Sequence, residues 1–223
     1  MHGSFGEDLD PSSSAAEERS RCLTLYEEEG RLVLDLGGPA VVVHPACFNL
    51  GRRIMAPAEA QAAQEPRWPQ LDDFLRRLAE VGERLGVTYL IENQPRNCPL
   101  GHDPASLADR IRSVGSERIR MCLDLGHANM TGDPAEAIRA CADVIAYLHI
   151  HDNDGVADQH LMPGDGGITW EGDQGVAAAL LRHNIAAPRM LEVFYPPERL
   201  EALAAAGFAA HLRSMLAVTG DVP

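Results

Sequence analysis

The stretch YLHIHDNDGVADQH, residues 147–160, places three histidines and three aspartates directly behind an apolar run. Imidazole nitrogens and carboxylate oxygens together suit a divalent cation such as zinc or manganese. Side chains alternate between the faces of a strand, so His149 and His151 project to one side, and Asp158 and His160 repeat the two-residue spacing in the loop beyond. A solvated polar loop has the same composition. The remainder of the chain decides between the two readings.

Further ionisable residues stand at or near the ends of short apolar runs: His44 in AVVVHP, Glu92 in VTYLIEN, Asp124 and His127 in RIRMCLDLGH, and Glu192 in PRMLEVF. Each alone has a plain structural role, as a salt-bridge partner, a loop anchor or a turn cap. Five in succession are harder to explain that way. Carboxylates that converge on one pocket repel and raise one another's pKa unless a cation is present.

The elements that must position these groups follow from periodicity. Residues 40–45, 87–93, 118–127, 144–152 and 188–194 read as buried strands, aliphatic or β-branched and bounded by turn residues. Residues 13–36, 70–85, 104–114, 134–141, 175–183 and 197–218 read as helices, two of them opening with Asp-Pro, an N-cap followed by the residue best tolerated in the first turn. Residues 51–69 read as a surface connection. Apolar strands alternating with helices imply an α/β fold with a parallel sheet. The C-terminal ends of parallel strands share one mouth, and a (β/α) barrel of the TIM type brings them to a common centre, whereas an open doubly wound sheet spreads them along an edge.

The 223 residues fit one domain, residues 1–223, and 45% apolar with 23% charged residues is an ordinary globular composition. The formal charge of -14 disfavours a nucleic-acid partner or an anionic membrane. No apolar run approaches the length of a bilayer span, and MHGSFGEDLD lacks the regions of a signal peptide, which makes the cytoplasm the expected location. Five scattered cysteines without a C-x-x-C pair fit neither a disulfide framework nor a zinc ribbon.

The order VVVHP, IEN, CLDLGH, HIHDND with D-Q-H and PGDG, then LEVF, resembles the xylose isomerase-like TIM-barrel superfamily, over nearly the whole chain. That superfamily includes sugar phosphate isomerases and epimerases and the apurinic endonucleases of the endonuclease IV type. The resemblance implies one divalent metal (manganese, zinc, magnesium or cobalt) held by Glu92, Asp124, a histidine of HIHD and Glu192. His149 is the preferred histidine and His151 its alternate. It implies Glu92 and Glu192 as the acid/base pair, His127 and His151 as contacts to substrate oxygens, and a small sugar or polyol as substrate. The endonuclease-type members imply up to three zinc ions: one at His2, His44 and Glu92, one at Glu92, Asp124, His149 and Glu192, and one at His127, Asp158 and His160. The segment around His2 resembles the third strand of the family, so a barrel with about six of eight strands is expected, with exposed edges that favour a homo-oligomer. An endonuclease-like phosphodiesterase and an inactive shortened barrel are the alternatives to the isomerase.

Overall fold

The computed structural model describes residues 1–48 and 53–216. Helix α1, Ala16–Asp35, precedes strand β1, Ala40–Val43. Helix α2, Pro57–Gln64, and a single 3-10 turn, Glu65–Arg67, lead into α3, Trp68–Leu85, and β2, Thr88–Glu92. Helix α4, Pro104–Val114, β3, Ile119–Asp124, and the short α5, Leu125–Asn129, come next. Helix α6, Pro134–Cys141, β4, Ile145–Ile150, α7, Val176–Arg182, and β5, Arg189–Leu191, complete the alternation, and α8, Pro197–Ala205, and α9, Phe208–Met215, follow.

The five strands form one parallel sheet in sequence order. An isolated parallel bridge, His2 to Val42, extends it beyond β1 and stands where a sixth strand would run. Two main-chain bonds hold that bridge, from Gly3 to the Val42 carbonyl and from Val42 to the Met1 carbonyl, at 2.8 and 2.9 Å. The sheet curls into an open half-barrel. One cavity of about 470 Å³ is lined by Met1 and His2 at one edge and by Pro188 and Met190 at the other, with Val42, Leu90 and Tyr147 between them. Among the described residues β1 and β5 do not pair, so the strands form an arc with open edges, in keeping with the shortened (β/α) barrel expected from the sequence.

Period-two alternation divides the strands between two environments. Val41, Val43, Tyr89, Ile91, Met121, Leu123, Leu148 and Ile150 face the helices and join the main core with Leu71, Phe74, Leu75 and Leu78, the buried stripe of α3 at helical spacing. Val42, Leu90 and Cys122 face the concave side. Two residues further along each strand, on that same concave side, lie His44, Glu92 and Asp124. The alternation that builds the core therefore also aims the ionisable groups.

Three sequence expectations change in detail. The segment 51–69 contains helix and feeds directly into α3, although residues 51 and 52 lie outside the described residues. The run 118–127 ends as strand at Asp124, whose carboxylate accepts the His127 amide at 2.7 Å and caps α5. The final helix is two, interrupted at Gly207, whose φ of 78° lies in the left-handed region that glycine adopts without strain, and residues 217–218 lie outside the described residues. All five cysteines are buried and none is in a disulfide. No helix among the described residues is long and apolar enough to cross a membrane.

Candidate metal centre

The ten residues singled out from sequence meet at one mouth, above the C-terminal ends of the strands. Their ligand-type atoms fall into three groups, each with all members within 4.8 Å of one another: His2, His44 and Glu92; Glu92, Asp124, His149 and Glu192; His127, His151, Asp158 and His160. Glu92 belongs to the first two. Its Oε2 lies 3.3 Å from His2 Nε2 and 3.1 Å from His44 Nε2, and its Oε1 lies 2.8 Å from His149 Nδ1. Glu192 completes the second group from just beyond β5, with Oε2 3.2 Å from His149 Nδ1. In the third group His127 Nε2 and His160 Nε2 flank the Asp158 carboxylate at 3.3 and 3.2 Å.

Second partners orient the imidazoles. His2, His127 and His160 each place Nδ1 on a main-chain carbonyl, of Gly3, Asn93 and Glu192, at 2.8, 2.9 and 2.8 Å. An N–H donated there turns the Nε2 lone pair toward the carboxylates, the arrangement by which metal-ligating histidines are held. His160 does so from a left-handed backbone conformation, φ 46°, which is strained for a residue with a Cβ and concentrates at functional sites.

The electrostatics of the cluster follow from how its members pair. Burial pulls Glu92 toward the neutral acid, yet His149 and the bonds from His149, His2 and His44 outweigh it and hold the carboxyl well below the usual range. Burial likewise opposes ionisation of Asp124, and His127 and His151 prevail. Burial would discharge His127, but Asp124, Asp158 and Glu92 raise it to about 10. Without a cation, then, protons on the imidazoles must neutralise the carboxylates. His44 Nδ1, His149 Nε2, His151 Nδ1 and Asp158 Oδ1 remain buried with no hydrogen-bond partner. A divalent cation in each group would take over the neutralising role with neutral imidazoles, and mixed nitrogen and oxygen donors suit zinc, manganese or cobalt.

Two residues that sequence reasoning passed over fix this geometry. Asn93 brackets Asp124, accepting its amide at 2.8 Å and donating to its carbonyl at 3.0 Å. Asp152 is buried, and its carboxylate accepts four N–H groups, from Asn153, Gly164, Ile168 and the Trp170 indole, at 2.8 to 3.1 Å. Those bonds and the antiparallel bridge to Leu161 dock the loop that bears Asp158 and His160. No spacing rule separates Asp152 from the neighbouring Asp154, which is exposed and serves only its own turn. Asp152→Ala is expected to lower the unfolding free energy by about 3 kcal/mol through unsatisfied buried donors, visible as a lower urea midpoint with unchanged slope.

The family model for the xylose isomerase-like TIM barrel matches residues 1–215. The chain belongs to that family. It is 28% identical over 178 residues to the uncharacterized protein MJ1311 of Methanocaldococcus jannaschii, covering 76% of this chain and 56% of that one. Identity to the fructoselysine 3-epimerase of Escherichia coli O157:H7 is 25% over 123 residues, 53% of this chain and 45% of the enzyme. The chain thus spans about half the length of the curated relatives it matches. Among solved structures, a D-tagatose 3-epimerase-like protein superimposes with a TM-score of 0.75 at 23% identity, over 95% of this chain and 76% of that one. The TTHB071 protein of Thermus thermophilus, from a crystal soaked with ZnCl2, gives 0.66 at 26% identity, over 99% and 78%.

Proposed function

We propose that the chain is a metal-dependent sugar isomerase or epimerase whose reaction centres on Glu92, Asp124, His149 and Glu192. The observation that carries this reading is the asymmetry of the second group. The side chains of Glu92, Asp124 and His149 are at most 2% exposed, whereas that of Glu192 is 22% exposed and faces the mouth. Three buried donors hold, and one accessible carboxylate meets substrate. A divalent ion bound there would polarise a sugar carbonyl and stabilise negative charge developing beside it.

The chain's own residues would do the rest. Glu192 would take the proton from the carbon next to the carbonyl, and Glu92, from three strands away in the sheet, would be its partner in returning it. His149 touches both carboxylates and would keep them a fixed distance apart. The buried positions of His127 and His151, paired with Asp158 and Asp124, favour ligand and orienting duty over the substrate contacts suggested by sequence. The names of the 3-epimerase relatives point the same way, to a small sugar as substrate.

The test is solvent-isotope exchange. Protein loaded with manganese, cobalt or zinc is incubated with a panel of ketoses and their phosphates in D2O. Deuterium appearing at the carbon beside the carbonyl of one of them is the expected result; no exchange across the panel with metal bound would sink the reading. A second reading, a zinc-dependent phosphodiesterase acting at abasic sites, is favoured by the first and third groups, which one-metal proton transfer does not need. The charge of -14 weighs against a DNA substrate, and nicking of an abasic duplex by the zinc-loaded protein is the direct assay.

A further inference from the structure

The third group holds one histidine more than an open metal site requires. We infer that His151 is a fourth protein ligand there, so that His127, His151, Asp158 and His160 form a closed His3Asp site that binds a divalent cation for structure and does not meet substrate.

Three observations converge on His151. The Nε2 atoms of His127, His151 and His160 stand 3.3, 3.9 and 3.2 Å from the Asp158 carboxylate. The rings of His151 and His160 stack at 3.9 Å between centroids and 11° between planes. One ligand-type atom from each of the four residues lies within 4.8 Å of the others, so both rings are within reach of one cation. Finally, His151 places Nε2 3.2 Å from Asp124 Oδ2 and leaves Nδ1 buried with no partner. Nε2 thus stands between Asp124 and Asp158, 3.0 and 3.9 Å from their carboxylates, and is the nitrogen that a cation in the third group would meet.

Gly126 makes the position possible. A Cβ at residue 126 would lie 1.9 Å from His151 Cε1, so the ring occupies space that any other residue type would fill. Gly126 lies inside α5 and its φ is not among the left-handed ones, so its value here is room for the imidazole, not backbone freedom.

Four protein ligands change the chemistry. Zinc sites with four are structural, and catalytic sites keep a position for water or substrate. A closed third site would leave proton transfer to the second group and would lock the Asp152-docked loop to β4 and α5. The inference stands apart from the sugar reaction, and its test reads metal binding alone.

The experiment uses the full chain with Glu92→Gln, which removes the carboxylate shared by the first two groups and leaves the third intact. Cobalt(II) is titrated against a competing chelator while the visible spectrum is followed, and azide is then added. One tightly bound cobalt with an intense tetrahedral spectrum that azide does not alter is expected. Adding His151→Ala should weaken that cobalt by about 100-fold or more, since even outer partners of a ligand are worth 10- to 100-fold, and should make the spectrum azide-sensitive. An azide-sensitive spectrum before the His151 change, an affinity unmoved by it, or no bound cobalt overturns the proposal. Should the Glu92→Gln background not fold, His151→Ala and Asp158→Asn in the otherwise unaltered chain are compared by elemental analysis. Each must lower metal per chain by one, and an unchanged content in His151→Ala overturns the proposal equally.

Discussion

Glu192→Gln is expected to lower kcat for proton exchange by about 10³-fold, within the range that a positioned acid or base contributes, with KM changed by only a few fold at saturating metal. Glutamine keeps the length and the oxygen that faces His149, but it cannot accept the proton. Glu92→Gln should fail differently. Glu92 is buried and touches His2, His44 and His149, so its loss removes an anion from two groups at once and metal content falls together with activity. Steady-state kinetics with elemental analysis of both variants separates the cases. Glu192→Gln with undiminished kcat would remove this carboxylate from the chemistry.

The second large effect is the response of stability to metal and pH. In the metal-free protein His127 titrates at about 10 and His2 and His160 are also raised, while Glu92, Asp124 and Asp158 are lowered. A raised histidine contributes stability that is complete below its unfolded value near 6.5 and is lost as pH climbs through its folded value. A lowered carboxylate contributes stability that is present above about 4.5 and lost as pH falls toward its folded value. The metal-free protein should therefore be most stable between roughly pH 5 and 6.5 and weaken toward pH 10. Cation binding requires the imidazoles neutral, so it expels those protons and strengthens as pH rises. Zinc or manganese at about 1,000 times its dissociation constant adds roughly 4 kcal/mol, or about 8–16 °C in Tm for a chain of this size. Thermal melts with metal and with chelator between pH 6 and 9 should show the gap widening with pH. A gap that is constant or narrows would mean that these imidazoles are not the ligands.

Much of the fold was readable because its signals are local. The strand cores around residues 41–43, 89–91 and 145–150 are apolar runs of strand length, and α4 and α6 begin where Asp-Pro places them. What failed locally was governed by turns of chain that sequence periodicity does not resolve: Gly207 splits the last helix, and residues 57–67 are helical where composition suggested a plain connection. The open edges were legible for another reason, the resemblance of the segment around His2 to the family's third strand. Whether parallel strands form a ring or an arc depends on curl and on what lies at each edge, and five strands with a two-residue bridge do not bring β5 back to β1.

The site divides in the same way. Sequence alone determined the residue types and their faces, because a period of two ties His44, Glu92, Asp124 and His149 to the concave side as soon as Val42, Leu90, Cys122 and Tyr147 are placed there. Spacing could not decide which groups share a cation, because that depends on distances between side chains far apart along the chain. The resemblance already put Glu92 in two groups; only the tertiary structure brought His151 against Asp158, where a missing Cβ at Gly126 leaves it room. Only the fold, too, gave Asp152 its four donors, since a buried carboxylate and a solvated one are the same letter until the loop closes over one of them.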